Sequence, residues 1–171
     1  NALSVRINRT AFEQIVGRWS DLSNSYQDVF ERAERLGNKL EQARVQLNWG
    51  VFHLHKGDYV TAQLKLDEAF ALADKNNINI VVIPCRTYLA ELYVQRGDLT
   101  LSQNELHEAL RLIETKNNFV IYLPHAQYVQ ALLFMKLSDY QQALEFATNC
   151  VDVSEASGMR QEQGQGLRVR G

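Results

Sequence analysis

Apolar residues return along this chain at the three- and four-residue steps of a helix, not at the two-residue step of a strand. Between Ala43 and His55 they fall at Leu47, Gly50, Val51 and Leu54, and further on at Ala62, Leu66, Ala69, Phe70 and Ala73. Each stretch predicts an amphipathic helix with one face turned to a neighbour. The break between them, Lys56-Gly57-Asp58-Tyr59, contains its own stop and start. Gly57 supplies the left-handed residue that ends a helix, Lys56 suits the negative end of its dipole, and Asp58 is placed to cap the next one.

The same phrase returns as Arg96-Gly97-Asp98-Leu99 and as Leu137-Ser138-Asp139-Tyr140, so that Asp58, Asp98 and Asp139 mark a nearly constant interval. Around the second corner the apolar positions are Tyr88, Leu89, Leu92 and Tyr93, then Leu106, Ala109, Leu110 and Ile113. The third unit runs Ala126–Lys136, turns at Ser138-Asp139 and continues through Ala143, Leu144, Ala147 and Val151. Helix-ending residues at Gly37, Asn77, Asn118 and Gly158 give spacings of 40, 41 and 40 independently. Pro84 and Pro124 are expected near helix starts, where a missing amide costs nothing. A fixed period in this range marks a stacked array of helix pairs.

The expected organisation is a divergent N-terminal pair at 3–42, with Trp19-Ser20-Asp21-Leu22 standing where later corners stand, at a spacing of 37 to Asp58. Three units follow at 43–79, 80–119 and 120–159, and residues 160–171 read as the first helix of a truncated fourth, its apolar face without a partner. Asn1-Ala2 reads as a vector scar or as the cut end of a domain excised from a longer protein.

These units resemble the tetratricopeptide repeat. That family places a small residue in mid first helix, a large one shortly after, and two small ones on the second helix. Gly50, Ala90 and Ala131 fill the first spot and His53, Tyr93 and Phe134 the second. Ala62 and Ala69, Ser102 and Ala109, and Ala143 and Cys150 fill the last two. The usual first-helix tryptophan occurs once, as Trp49, the closing proline is absent, and the period is longer than the common one of the family by about 6 residues. That long variety resembles the helical repeats of bacterial signal-transducing regulators of the MalT type. The resemblance implies an all-α, right-handed superhelical solenoid of antiparallel helix pairs whose first helices line a concave groove.

By that resemblance the groove would show Arg44, Asn48, Val51 and His55 from the first full unit. The second would contribute Tyr88, Glu91 and Gln95, and the third His125, Tyr128, Leu132 and Met135. Mixed aromatic, amide and charged groups suit a peptide or protein ligand. Leu47, Val51 and Thr87 stand where a clamp for a C-terminal carboxylate would need polar or basic groups, which disfavours that mode.

Composition narrows the chemistry. A net charge of −2, with basic residues gathered only at Arg160, Arg168 and Arg170, disfavours a nucleic-acid surface. Cys85 and Cys150 lie far apart in the sequence without a CxxC pair and read as reduced core thiols. His53 and His55 point to different helix faces, His107 and His125 lack ligands at metal spacing, and no nucleophile elbow or phosphate loop is present. Arg96-Gly97-Asp98 spells an adhesion tripeptide but is explained by its corner.

The expectation is therefore a non-enzymatic, cofactor-free module that binds protein or peptide, cut from a cytoplasmic bacterial signalling or transcriptional regulator, with no metal, membrane or direct nucleic-acid role. The competing expectation is an assembly element that forms a homo-oligomer through its C-terminal helix.

Overall fold

Gly57, Gly97 and Ser138 all adopt positive φ, at 78°, 85° and 62°, and each is followed by the aspartate that opens the next helix. The Asp58 N–H donates to the His53 carbonyl at 3.0 Å and the Gly57 N–H to the Leu54 carbonyl at 3.0 Å. The same two bonds recur from Asp98 to Tyr93 and Gly97 to Val94, and from Asp139 to Phe134 and Ser138 to Met135. This double bond closes a helix by satisfying carbonyls that would otherwise lack partners. Asp58 and Asp139 then accept from the N–H of Thr61 and Gln142, at 3.2 and 3.1 Å, and so open the helix that follows. Gly37, Asn77 and Gly158 close three further helix ends by the same pair of bonds.

The chain is seen in a computed structural model that describes residues 2–17, 19–115 and 119–171. Among the described residues it is all-helical, with nine α-helices, one short 3-10 turn at Val120–Tyr122 and no strand. The helices are α1 (Ala2–Ile15), α2 (Leu22–Arg35), α3 (Lys39–His55), α4 (Tyr59–Lys75), α5 (Asn79–Arg96), α6 (Leu99–Thr115), α7 (Leu123–Lys136), α8 (Tyr140–Ser157) and α9 (Arg160–Arg170). They form two compact units, Asn1–Cys85 and Arg86–Gly171, whose boundary falls within α5.

In the first unit α1 packs on α2 and α3, α2 on α3, and α3 on α4. Leu3 and Ile7 of α1 share a core with Leu22, Tyr26, Val29 and Ala33 of α2 and with Val45 and Phe52 of α3. Burying a side chain the size of Phe52 contributes roughly 1.5–3 kcal/mol. Gly50 lets α3 approach α4 closely, because a Cβ there would stand 2.8 Å from Leu66 Cγ.

In the second unit α7 packs on α6 and α8, and α9 lies against both α8 and α7. Ala131, Ala143, Ala147 and Cys150 are fully or almost fully buried, and Phe134 stacks on Phe146 at 5.4 Å. Arg86 of α5 donates to Glu105 of α6 at 2.7 Å.

Several expectations change. The helix expected from Ala43 begins at Lys39, because the Asn38 side chain accepts from Glu41 N–H and caps it earlier. The one expected from Ala126 begins at Leu123, with Pro124 in its first turn. Pro84 does not open a helix: it is inside α5, the sixth residue. Asp21 is itself left-handed, at φ 59°, and caps nothing with its side chain. Leu144 points to solvent. The C-terminal helix does have a neighbour, since Gly166 sits so close to α8 that a Cβ would stand 2.9 Å from Val151 Cγ2 and 3.0 Å from the Ala147 carbonyl. Asn118 lies outside the described residues.

Candidate functional site

The expected binding residues divide between the two units. In the first, the Arg44 guanidinium is engaged: it donates to Glu41 at 2.9 Å and to Asn8 Oδ1 at 3.0 Å, which ties α3 to α1. Val51 is buried and cannot meet a ligand, a consequence of its place on the apolar stripe with Leu47 and Leu54. Asn48 is half-buried, and the exposed His55 reaches Gln14 Nε2 at 3.4 Å. Gln14 is a hub in its own right. Its Oε1 accepts from the Tyr26 hydroxyl at 2.7 Å and its carbonyl from the Trp19 indole at 2.9 Å.

In the second unit the structure gathers four of the expected residues. His125 Nε2 lies 2.9 Å from Glu91 Oε2, both side chains buried. The His125 ring sits 4.3 Å from the Tyr88 ring and stacks at 6.2 Å with Tyr128. Glu91 and His125 therefore do not present themselves to a ligand; they spend their polar atoms on each other beneath two tyrosines. Burial raises the Tyr88 hydroxyl well above the ordinary phenol range, reinforced by the Glu91 and Glu162 carboxylates. Burial also pushes Tyr128 up to about 12. Both tyrosines stay neutral donors through the physiological range.

What remains accessible lies along α7. Tyr128 and Leu132 are half-buried and Met135 is exposed, at steps of four and three that place them on one helix face. Gln95 of α5 is exposed as well.

The contribution of α9 was not anticipated from the sequence. α9 packs on α7, and the Glu162 carboxylate raises the Tyr88 pKa while the Arg168 guanidinium opposes the rise at Tyr128. Their spacing, with Gln165 between them, puts the three on one face of α9 and was the available signal.

Other chemistry is sparse. Burial raises the Cys150 thiol above its ordinary value, and its Sγ donates to the Glu162 carbonyl at 3.4 Å, an arrangement that suppresses thiolate reactivity. Leu47, Val51 and Thr87 are all buried. A cavity of about 260 Å³ in the first unit is lined by Arg6, Arg9, Glu13 and Asp28 along with Thr10, Ser25 and Val29. Two charges of each sign give it no net electrostatic preference. Among the described residues no three His, Cys, Asp or Glu side chains are placed to hold a metal ion. No described helix is long and apolar enough to cross a membrane. No protein-family model matches the chain, and no curated protein matches it.

Proposed function

We propose that the chain is a right-handed solenoid of tetratricopeptide-like repeats that binds an extended peptide or protein segment, as a module of a larger cytoplasmic bacterial signalling or transcriptional regulator. Supporting the repeat reading, one corner geometry returns at Gly57-Asp58, Gly97-Asp98 and Ser138-Asp139, and in each unit first-type helices touch one another, α1 with α3 and α7 with α9. A helix pair that meets both its partner and the next like helix is the contact pattern of a stacked array.

The observation that carries the binding reading is the α7 face. Tyr128, Leu132 and Met135 form an aromatic-to-aliphatic strip, with Tyr128 stacked on the His125 ring that Glu91 and Tyr88 also engage. A flexible methionine and half-buried apolar groups next to neutral phenol donors suit a ligand held by partial burial and hydrogen bonds. The ligand acts by favouring one arrangement of the array over another, which an attached effector reads.

The test is selection of peptides from a random library on the intact chain, followed by binding to Met135→Glu and Gln95→Ala. Both positions are exposed, so the variants keep their helicity. The reading predicts that Met135→Glu loses at least about tenfold in affinity. Peptides bound equally by wild type and both variants sink it.

A further inference from the structure

Aligning α1 with α3 on the residues that end them, Gly17 and Gly57, both left-handed, gives an offset of 40. In that register the buried residues of α1, Leu3, Ile7, Thr10 and Gln14, match Ala43, Leu47, Gly50 and Leu54, all buried. Val5 then matches Val45 and Phe12 matches Phe52, the same residue types seven apart. Their environments are opposite. Val45 and Phe52 are 0% and 1% exposed, whereas Val5 and Phe12 are 66% and 61% exposed. The equivalent pairs Cys85 with Leu92, and Ala126 with Leu133, are also buried.

What covers this pair on α3 is α2. Its stripe Leu22, Tyr26, Val29 and Ala33 shares the core with Val45 and Phe52, and the Tyr26 ring lies 6.0 Å from Phe52 and stacks on Trp49 at 6.2 Å. No helix among the described residues takes that seat on α1. Ile15 and Val16, exposed too, extend the apolar strip where α3 has the polar His55 and Lys56. Exposed apolar residues gathered in this way on one face of a surface helix mark a contact site.

We propose that the Val5–Phe12 face of α1 is a docking seat for an amphipathic helix built on the pattern of α2, with apolar residues at steps of 4, 3 and 4, and with a carboxylate where α2 has Tyr26. Equivalence in register with the α3 face that α2 covers fixes the shape of the occupant. Charge fixes the substitution: the residue of α1 matching Trp49 is Arg9, one turn after Val5 on the same face, its side chain 77% exposed. Arg9 pairs with Glu13 at 3.0 Å at the rim of the cavity it shares with Arg6 and Asp28, and such an exposed pair is worth little in water. An Asp or Glu on the incoming helix meets this guanidinium at the point where Tyr26 meets Trp49.

The probe is a synthetic peptide with the sequence of Leu22–Arg35 carrying Tyr26→Glu, held helical by a side-chain lactam on its outer face, titrated into the full chain. Binding that drops at least about tenfold in Phe12→Glu supports the seat; Phe12 is exposed, and circular dichroism verifies the fold of the variant. Arg9→Glu should weaken the glutamate peptide and be rescued by the same peptide carrying Tyr26→Lys. Unchanged binding in Phe12→Glu, as expected if the peptide merely exchanges with α2 on α3, overturns the proposal. So does absence of binding at millimolar peptide, and so does a concentration-dependent dimer of the chain abolished by Phe12→Glu, which would make a second copy the occupant.

Discussion

His53 and Asp58 are joined twice: the Asp58 N–H donates to the His53 carbonyl at 3.0 Å, and Asp58 Oδ2 lies 3.0 Å from His53 Nδ1. At the other two corners Tyr93 and Phe134 stand in the place of His53. Burial lowers the His53 pKa despite the opposing attraction of Asp58. The unfolded chain therefore takes up this proton more readily than the folded one, and stability falls as the pH drops below about 6.5. Asp58 shifts downward too, chiefly because the hydroxyl and N–H of Thr61 donate to its charged form. Its contribution is present above about pH 4 and is lost as the pH falls through its depressed value. Melting temperature against pH should show both declines, and His53→Tyr should remove the upper one while leaving most of the lower, which rests chiefly on Thr61. An unchanged upper decline in that variant contradicts the assignment.

The caps predict opposite signs at superficially similar aspartates. Asp58→Ala and Asp139→Ala each remove a side-chain acceptor from a helix start and should cost about 1 kcal/mol in chemical denaturation. Asp21 caps nothing and sits at φ 59°, so Asp21→Gly relieves backbone strain and should stabilise by about 0.5 kcal/mol after the added chain entropy.

Glycines at two helical positions differ in the same testable way. Around Gly164 there is open space, and Gly164→Ala should stabilise by roughly 0.5–1 kcal/mol. At Gly50 the Leu66 side chain and its backbone N at 3.1 Å leave no room for a Cβ, and Gly50→Val should destabilise by about 3 kcal/mol. Equal effects at the two sites would refute the close α3–α4 approach.

Glu91 and His125 should behave as one unit. Removing the acceptor with Glu91→Ala leaves a buried imidazole unpaired, at a cost of about 2–3 kcal/mol. A Glu91→Leu, His125→Phe double variant should cost less than the sum of its single changes by about 1–2 kcal/mol. Additive losses would mean that the pair is not formed in solution.

The corners were legible in the sequence because they rest on local rules: Gly57 and Gly97 tolerate positive φ, and Asp58 and Asp139 reach amides three residues on. The N-terminal pair was misregistered for an equally local reason. Aligned on Asp21 the spacing to Asp58 is 37, but α1 ends at Gly17, whose spacing to Gly57 is 40, so the chain between α1 and α2 is longer than at later corners by three. Helical spacing placed the expected binding residues on their helices yet could not say what each meets. Arg44 is engaged by Asn8, 36 positions away, and His125 by Glu91, 34 away, and no periodicity encodes such pairings.

The most direct measurement is a backbone amide NMR titration of the chain with a peptide selected against it. Binding along α7 should concentrate the shift changes at Gln95, Tyr128, Leu132 and Met135. Changes confined to the outer positions of α6 and α8, such as Leu101 and Leu144, would rule that face out as the binding site.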